Sequence, residues 1–253
     1  MSILIERLRE LSGAKAQPIG FGQVKASSPK PRPAIVAYFS LSDTSKIGGC
    51  VAGADAGLLP LKMSKVVEEV VGKVPDIPWG IRVGDGVEGI EGKPFDFILF
   101  SEAAPFGHLK GEKRGRILEL SPSVSDNLIR AVDQLPIDAI FVAEEVGDCF
   151  SWRHLMVFQR ISALTDKPLL VRSPLKVTRD ELEALWEVGI NGIVVEADKV
   201  GEVGKLRQMI EGMSFPKQRR GRREVVLPYF GKEVGSVAEE EEEEEEHLGG
   251  LSA

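Results

Sequence analysis

Residues 187–196 read Glu-Val-Gly-Ile-Asn-Gly-Ile-Val-Val-Glu. A helix closes at Gly189, a tight polar turn follows at Asn191, and a nearly continuous apolar run starts at Gly192. Such a run is expected of a parallel strand covered on both faces. The same phrase recurs upstream. Gly53-Ala54-Asp55-Ala56, Pro94-Phe95-Asp96-Phe97 and Pro136-Ile137-Asp138-Ala139 each put an Asp just before an apolar run. Eight such runs can be traced: 35–39, 56–59, 80–83, 97–100, 117–120, 139–142, 169–171 and 192–195.

Between the later runs lie helical patterns. Residues 123–134 place Leu128, Ile129, Val132 and Leu135 on one side, and 152–164 place Leu155, Val157, Phe158 and Ile161. Thr178 with Glu181 three residues on forms a capping box for a helix running to Gly189. Residues 199–213 carry Val203, Leu206, Met209 and Ile210, and residues 3–12 form a further amphipathic helix stopped at Gly13. Eight strands alternating with helices predict one α/β domain, a single (β/α)₈ TIM barrel over 34–213. An open doubly wound sheet is disfavoured because no Gly-x-Gly-x-x-Gly follows the first run. The Gly-rich stretch 85–96 predicts a short or missing helix between the third and fourth strands. Residues 1–33 then comprise the extra N-terminal helix and a Gly/Pro/Ser connector, and 214–253 a basic, then acidic, largely flexible tail.

The phrases Val51-Ala-Gly-Ala-Asp-Ala-Gly-Leu-Leu, Lys167-Pro-Leu-Leu-Val-Arg and residues 187–196 resemble helix–strand junctions of the aldolase-type TIM-barrel superfamily. The resemblance spans roughly residues 34–213 and implies architecture rather than a particular chemistry.

Composition narrows the class. The 253 residues are 43% hydrophobic and 28% charged, proportions of a soluble globular chain. No apolar run is long enough to span a bilayer, and no signal-peptide pattern opens the chain, so a cytoplasmic protein without membrane association is expected. Cys50 and Cys149 are too few for a disulfide framework or a zinc site. Eight negative charges form one block, Glu239–Glu246, and the rest of the chain carries only +1. Nucleic-acid binding is therefore not expected, despite a basic cluster at 217–223. Within the tail, the apolar residues 225–230 are expected to dock on the barrel. A homo-oligomer is left open.

Barrel enzymes carry their sites at the C-terminal strand ends. In Ile117-Leu118-Glu119-Leu120, alternation puts Glu119 on the face opposite the leucines, pointing into the barrel; Arg172 follows the seventh run in the same manner. A carboxylate and an arginine facing a substrate is one reading of this pair, and a structural ion pair plugging the mouth is the other. Glu144 and Glu196 add acids beside it. With Glu119 they would offer oxygen ligands to Mg²⁺ or Mn²⁺, which favour carboxylates. Arg82 or Arg172 would grip a substrate carboxylate. Lys62, after an apolar stretch, is the Schiff-base candidate, and Ser173 lies in the loop after strand seven, where barrels commonly bind phosphate. The acids Glu196, Asp198 and Glu202 argue against a phosphate there. This rim suits a lyase or aldolase-like enzyme acting on a small carboxylate or carbonyl compound, with or without metal. A non-catalytic binding or assembly module is the alternative, and a flavin barrel ranks behind both.

Overall fold

The computed structural model describes residues 2–13, 29–40, 44–84, 92–109 and 114–218. The chain divides into a compact unit, Met1–Gly221, and a second unit, Arg222–Ala253, which lies outside the described residues. The expectations for the 225–230 stretch and the acidic block fall on that second unit.

Eight strands, all parallel, close in sequence order into one barrel. They are β1 (Ala34–Tyr38), β2 (Ala56–Pro60), β3 (Trp79–Val83), β4 (Phe97–Ser101), β5 (Gly115–Leu120), β6 (Ala139–Val142), β7 (Leu169–Arg172) and β8 (Gly192–Glu196). Each of the eight predicted runs is a strand. The helices are α1 (Ile3–Leu11), α2 (Ile47–Val51), α3 (Val67–Lys73), α4 (Asp126–Val132), α5 (Trp152–Ser162), α6 (Arg179–Glu187) and α7 (Glu202–Glu211).

The recurrent Asp/Asn phrase has a physical explanation at the N-terminal edge of the barrel. Asp55, Asp138 and Asn191 each donate their backbone N–H to a carbonyl of the preceding strand, and each accepts in return an edge amide through the side chain. Those amides belong to Ile35 at 2.9 Å, Arg116 at 2.9 Å and Leu169 at 2.7 Å. A short acceptor at the turn thus pairs edge donors that the ladder leaves without a partner. The Asp96 side chain instead accepts from Ser2 Oγ and from the amides of Ile3 and Leu4, at 2.7–3.0 Å, anchoring the N-terminus of α1. An anion satisfying the first-turn amides of a helix also suits the helix dipole.

Alternation along the strands creates two apolar layers. One lies between the sheet and the surrounding helices. The other fills the barrel, where Ala34, Val36, Leu58, Leu99, Ile117, Phe141, Leu170 and Val194 pack above Leu4, Ile5, Leu8 and Leu11 of α1. The helix expected as an extra element is therefore the plug of the barrel floor. Gly80 faces inward beneath the Phe97 ring, and a Cβ placed on it would stand 2.2 Å from that ring. Gly80→Ala is expected to cost about 1–3 kcal/mol through overpacking, read as a lower denaturant midpoint with unchanged slope.

Two connections depart from the regular pattern. Among the described residues neither β3–β4 nor β4–β5 carries an α-helix; the latter has only a 3₁₀ turn at Phe106–Leu109. The outer face of β4 and β5 is left as an apolar groove of about 350 Å³, bordered by Phe106, Leu118, Leu128 and Leu135. This corrects one expectation. The sequence pattern puts Leu128 and Leu135 on the apolar side of a helix over 123–134, yet they are 59% and 49% exposed: Leu135 lies beyond the end of α4, and among the described residues no α-helix packs on that flank. The packed chain also continues past the expected boundary at 213. Phe215 is buried against Trp186, and Gln218 donates to the carbonyls of Trp186 and Ile190.

Candidate functional site

Inward parity at the C-terminal end of the strands brings Tyr38, Arg82, Glu119, Arg172 and Glu196 to one cavity of about 180 Å³, with Glu144 and Glu145 at its rim. Leu58, Leu99, Phe141 and Val194 form its floor, so the cavity rests on the same interior stack that α1 closes from below.

Register explains who pairs with whom. Arg82 is level with Leu99 and Ile117, so Glu119 stands one inward step higher on β5. The guanidinium reaches across β4 and grips it bidentately, Nη2 to Oε1 at 2.6 Å and Nε to Oε2 at 3.1 Å. The Glu119 hydrogen bonds raise the Arg82 pKa above its ordinary value; burial opposes them, and the Tyr38 side chain adds a smaller contribution in the same direction as Glu119. Arg172 is level with Val194, and it donates to Glu196, again one step higher on the next strand. Glu119 and Arg172, which the sequence singles out as a pair, share the cavity but not a bond. Phe141 on β6 stands level with Glu119 between them.

Glu144 follows β6 and is mostly buried, with Arg153 Nε at 3.9 Å. Its contact with a cation is therefore looser than the hydrogen-bonded pairs of Glu119 and Glu196.

The proposed Mg²⁺ or Mn²⁺ ligands do not converge. Among the described residues no group of three or more His, Cys, Asp or Glu side chains is arranged to hold a cation. Glu119 and Glu196 turn their oxygens to separate guanidinium groups. The residues do not fit a metal centre, because each of these carboxylates is committed to its own arginine.

Lys62 sits exposed on the 3₁₀ turn after β2 and is not among the cavity-lining residues. The desolvation that an amine needs for Schiff-base chemistry is missing there. Ser173 is buried, and its hydroxyl donates to the Pro174 carbonyl. It lines a second cavity, of about 340 Å³, with Val146, Asp198, Lys199 and Glu202. That cavity shares Arg172 and Glu196 with the first. Cys50 and Cys149 are free thiols, the first buried and the second exposed. Burial, then Asp198, pushes the Cys50 thiol pKa up, which disfavours the nucleophilic thiolate.

Tyr38 is legible in the sequence only as a strand-end residue, without a role. Inward alternation Ala34, Val36, Tyr38 along β1 is the signal that places it beside Arg82. The Arg82–Glu119 partnership has no such local signal, because 37 residues separate the two.

Fold and site together define a closed barrel of eight parallel strands with a polar cavity at its C-terminal mouth. No protein-family model matches the sequence, and no curated protein is similar to it at the sequence level. Solved structures share the fold. One variant of the tryptophan synthase α-subunit from the hyperthermophile Pyrococcus furiosus superposes with a TM-score of 0.54 at 14% identity, over 71% of this chain and 98% of that one. A second variant of the same subunit gives 0.51 at 13% identity, with the same coverage. At these identities the likeness is one of architecture. No described helix is long and apolar enough to cross a membrane.

Proposed function

We propose that this chain is a lyase-like barrel enzyme acting on a small carboxylate or carbonyl compound. The observation that carries this reading is the mouth cavity, in which two arginines and four glutamates surround a space of about 180 Å³. Its position at the C-terminal strand ends is where barrel enzymes hold their substrates. The tryptophan synthase α-subunit, similar in fold, is part of an enzyme, which lends support by analogy alone.

In this reading Arg172 takes the substrate carboxylate, since its half-exposed pair with Glu196 costs little to open. Arg82, clamped by Glu119 and touched by Tyr38, faces the substrate carbonyl oxygen and stabilises negative charge that develops there. Glu144, held only loosely by Arg153, is the proton-transfer group. For a β-hydroxy carbonyl substrate, Glu144 takes the hydroxyl proton and the carbon–carbon bond breaks. The electron pair passes into the enolate at Arg82, and the same proton returns to the enolate carbon. The donor set fits no metal-assisted step.

A binding or assembly module is the second reading. It is favoured by the fact that both guanidinium groups already have glutamate partners, as structural pairs would. A thermal-shift screen of 2-oxo and hydroxy acids against the full chain separates the two. The enzyme reading expects saturable stabilisation of about 2.7 kcal/mol at a hundredfold excess over Kd, several degrees in Tm. It expects Glu119→Gln to abolish this response by releasing Arg82 from its productive orientation. Absence of any saturable shift favours the module.

A further inference from the structure

The two cavities at the barrel mouth meet at a single ion pair. Arg172 and Glu196 line both, and they pair with each other at the ends of β7 and β8. Their side chains are 44% and 52% exposed, so the pair is accessible to an incoming ligand. The Arg82–Glu119 pair is held bidentately, and its carboxylate is only 15% exposed. The two pairs are therefore unequal: one is a clamp and the other is exchangeable.

We propose that Arg172 exchanges Glu196 for the ligand's carboxylate, and that the ligand is an amino carboxylate whose ammonium group takes Arg172's place beside Glu196. The inference rests on the carboxylate-binding reading of the cavity. Charge balance carries the rest of it. Once Arg172 turns to a ligand in the inner cavity, the outer cavity holds Glu196, Asp198 and Glu202, with Lys199 as the lining cation that remains. Lys199 stands 4.0 Å from Glu202 and leaves Glu196 uncompensated. A plain carboxylate would leave that deficit open. A ligand bringing its own ammonium replaces the positive charge that Arg172 withdraws from Glu196, and it spans both cavities, about 180 and 340 Å³, across the opened pair. Glu196 is thus a specificity-determining residue: it competes with plain acids and rewards amino acids.

Calorimetric titration of the full chain with matched linear compounds tests this. The pairs are butanoate against 4-aminobutanoate and pentanoate against 5-aminopentanoate, with butylamine as the amine alone. The amino acid is expected to bind about fivefold more tightly than its matched acid, the upper range for a solvent-accessible ion pair. Glu196→Gln should tighten binding of the plain acid, since a neutral amide competes less for Arg172, and bring the ratio toward one. Asp198→Asn, outside the inner cavity, should lower the ratio while leaving the plain acid unchanged. Equal affinities within each pair for the unaltered protein overturn the exchange while leaving the carboxylate reading intact. A preference that survives in both variants does the same. If no carboxylate binds at all, both the underlying reading and this inference fall.

Discussion

Asp55→Ala is expected to destabilise the barrel by about 3–5 kcal/mol, the range for removing one partner of a buried charge network. Asp55 sits at the N-terminal edge between β1 and β2 and is 4% exposed. Arg32 holds both its oxygens, at 2.7 and 2.8 Å, while Arg207 Nη2 and the Ile35 amide approach to 2.8 and 2.9 Å. Arg7 donates to the Asp55 carbonyl as well. Without the carboxylate, two largely buried guanidinium groups lose their closest counter-charge, keeping only backbone acceptors at Pro33 and Gly53, and the Ile35 amide loses its side-chain acceptor. Asp55→Asn should recover part of the loss, since an amide oxygen still accepts from Ile35. Chemical denaturation at neutral pH measures both.

The same residue sets an acid dependence. Burial alone would raise the Asp55 pKa, but the Arg32 hydrogen bonds, the charges of Arg32 and Arg207 and the Ile35 amide outweigh it and hold the carboxyl below its usual range. A folded pKa below the unfolded one, about 3.9, means the contribution is fully present above that value and is lost as pH falls through the folded pKa. Stability of the unaltered chain should therefore drop below about pH 4 more steeply than that of Asp55→Asn. Parallel curves for the two proteins would remove Asp55 from the acid response.

Leu8→Ala is the second large effect, expected at about 2–5 kcal/mol. Leu8 is fully buried in the helix that plugs the barrel floor. Its partners there are interior residues of the strands, fixed by the closed sheet, which cannot collapse around a missing side chain. The interior stack continues upward through Leu58, Leu99, Phe141 and Val194, which are also the floor of the mouth cavity. Loss of the plug should thus weaken ligand stabilisation at the opposite end, although α1 contributes none of the cavity-lining residues. Comparing ligand-induced Tm shifts of Leu8→Ala with those of Ile129→Val, buried outside the barrel at α4, separates transmission through the stack from general destabilisation.

Much of the architecture is legible in the sequence because it rests on local chemistry. The apolar runs are continuous where strands are covered on both faces, and Asp55, Asp138 and Asn191 mark the turns because a short acceptor there satisfies an edge amide. Thr178 and Glu181 form their capping box within four residues. Strand parity likewise puts Glu119 and Arg172 at the mouth without reference to the rest of the chain.

What the sequence does not reveal depends on distances between elements. Nothing local shows that the 3–11 helix fills the barrel floor; Asp96 holds it there from more than 90 residues away. The exposure of Leu128 follows from the two preceding connections, which carry no α-helix among the described residues, and not from α4 itself. The pairing of Arg82 with Glu119 and of Arg172 with Glu196, instead of Glu119 with Arg172, is decided by strand register and by Phe141 between them. Sequence alternation determines which face a side chain occupies, since successive Cβ atoms must point to opposite sides of a strand. Only closure of the sheet sets the height of one strand against the next, and that height selects which guanidinium reaches which carboxylate.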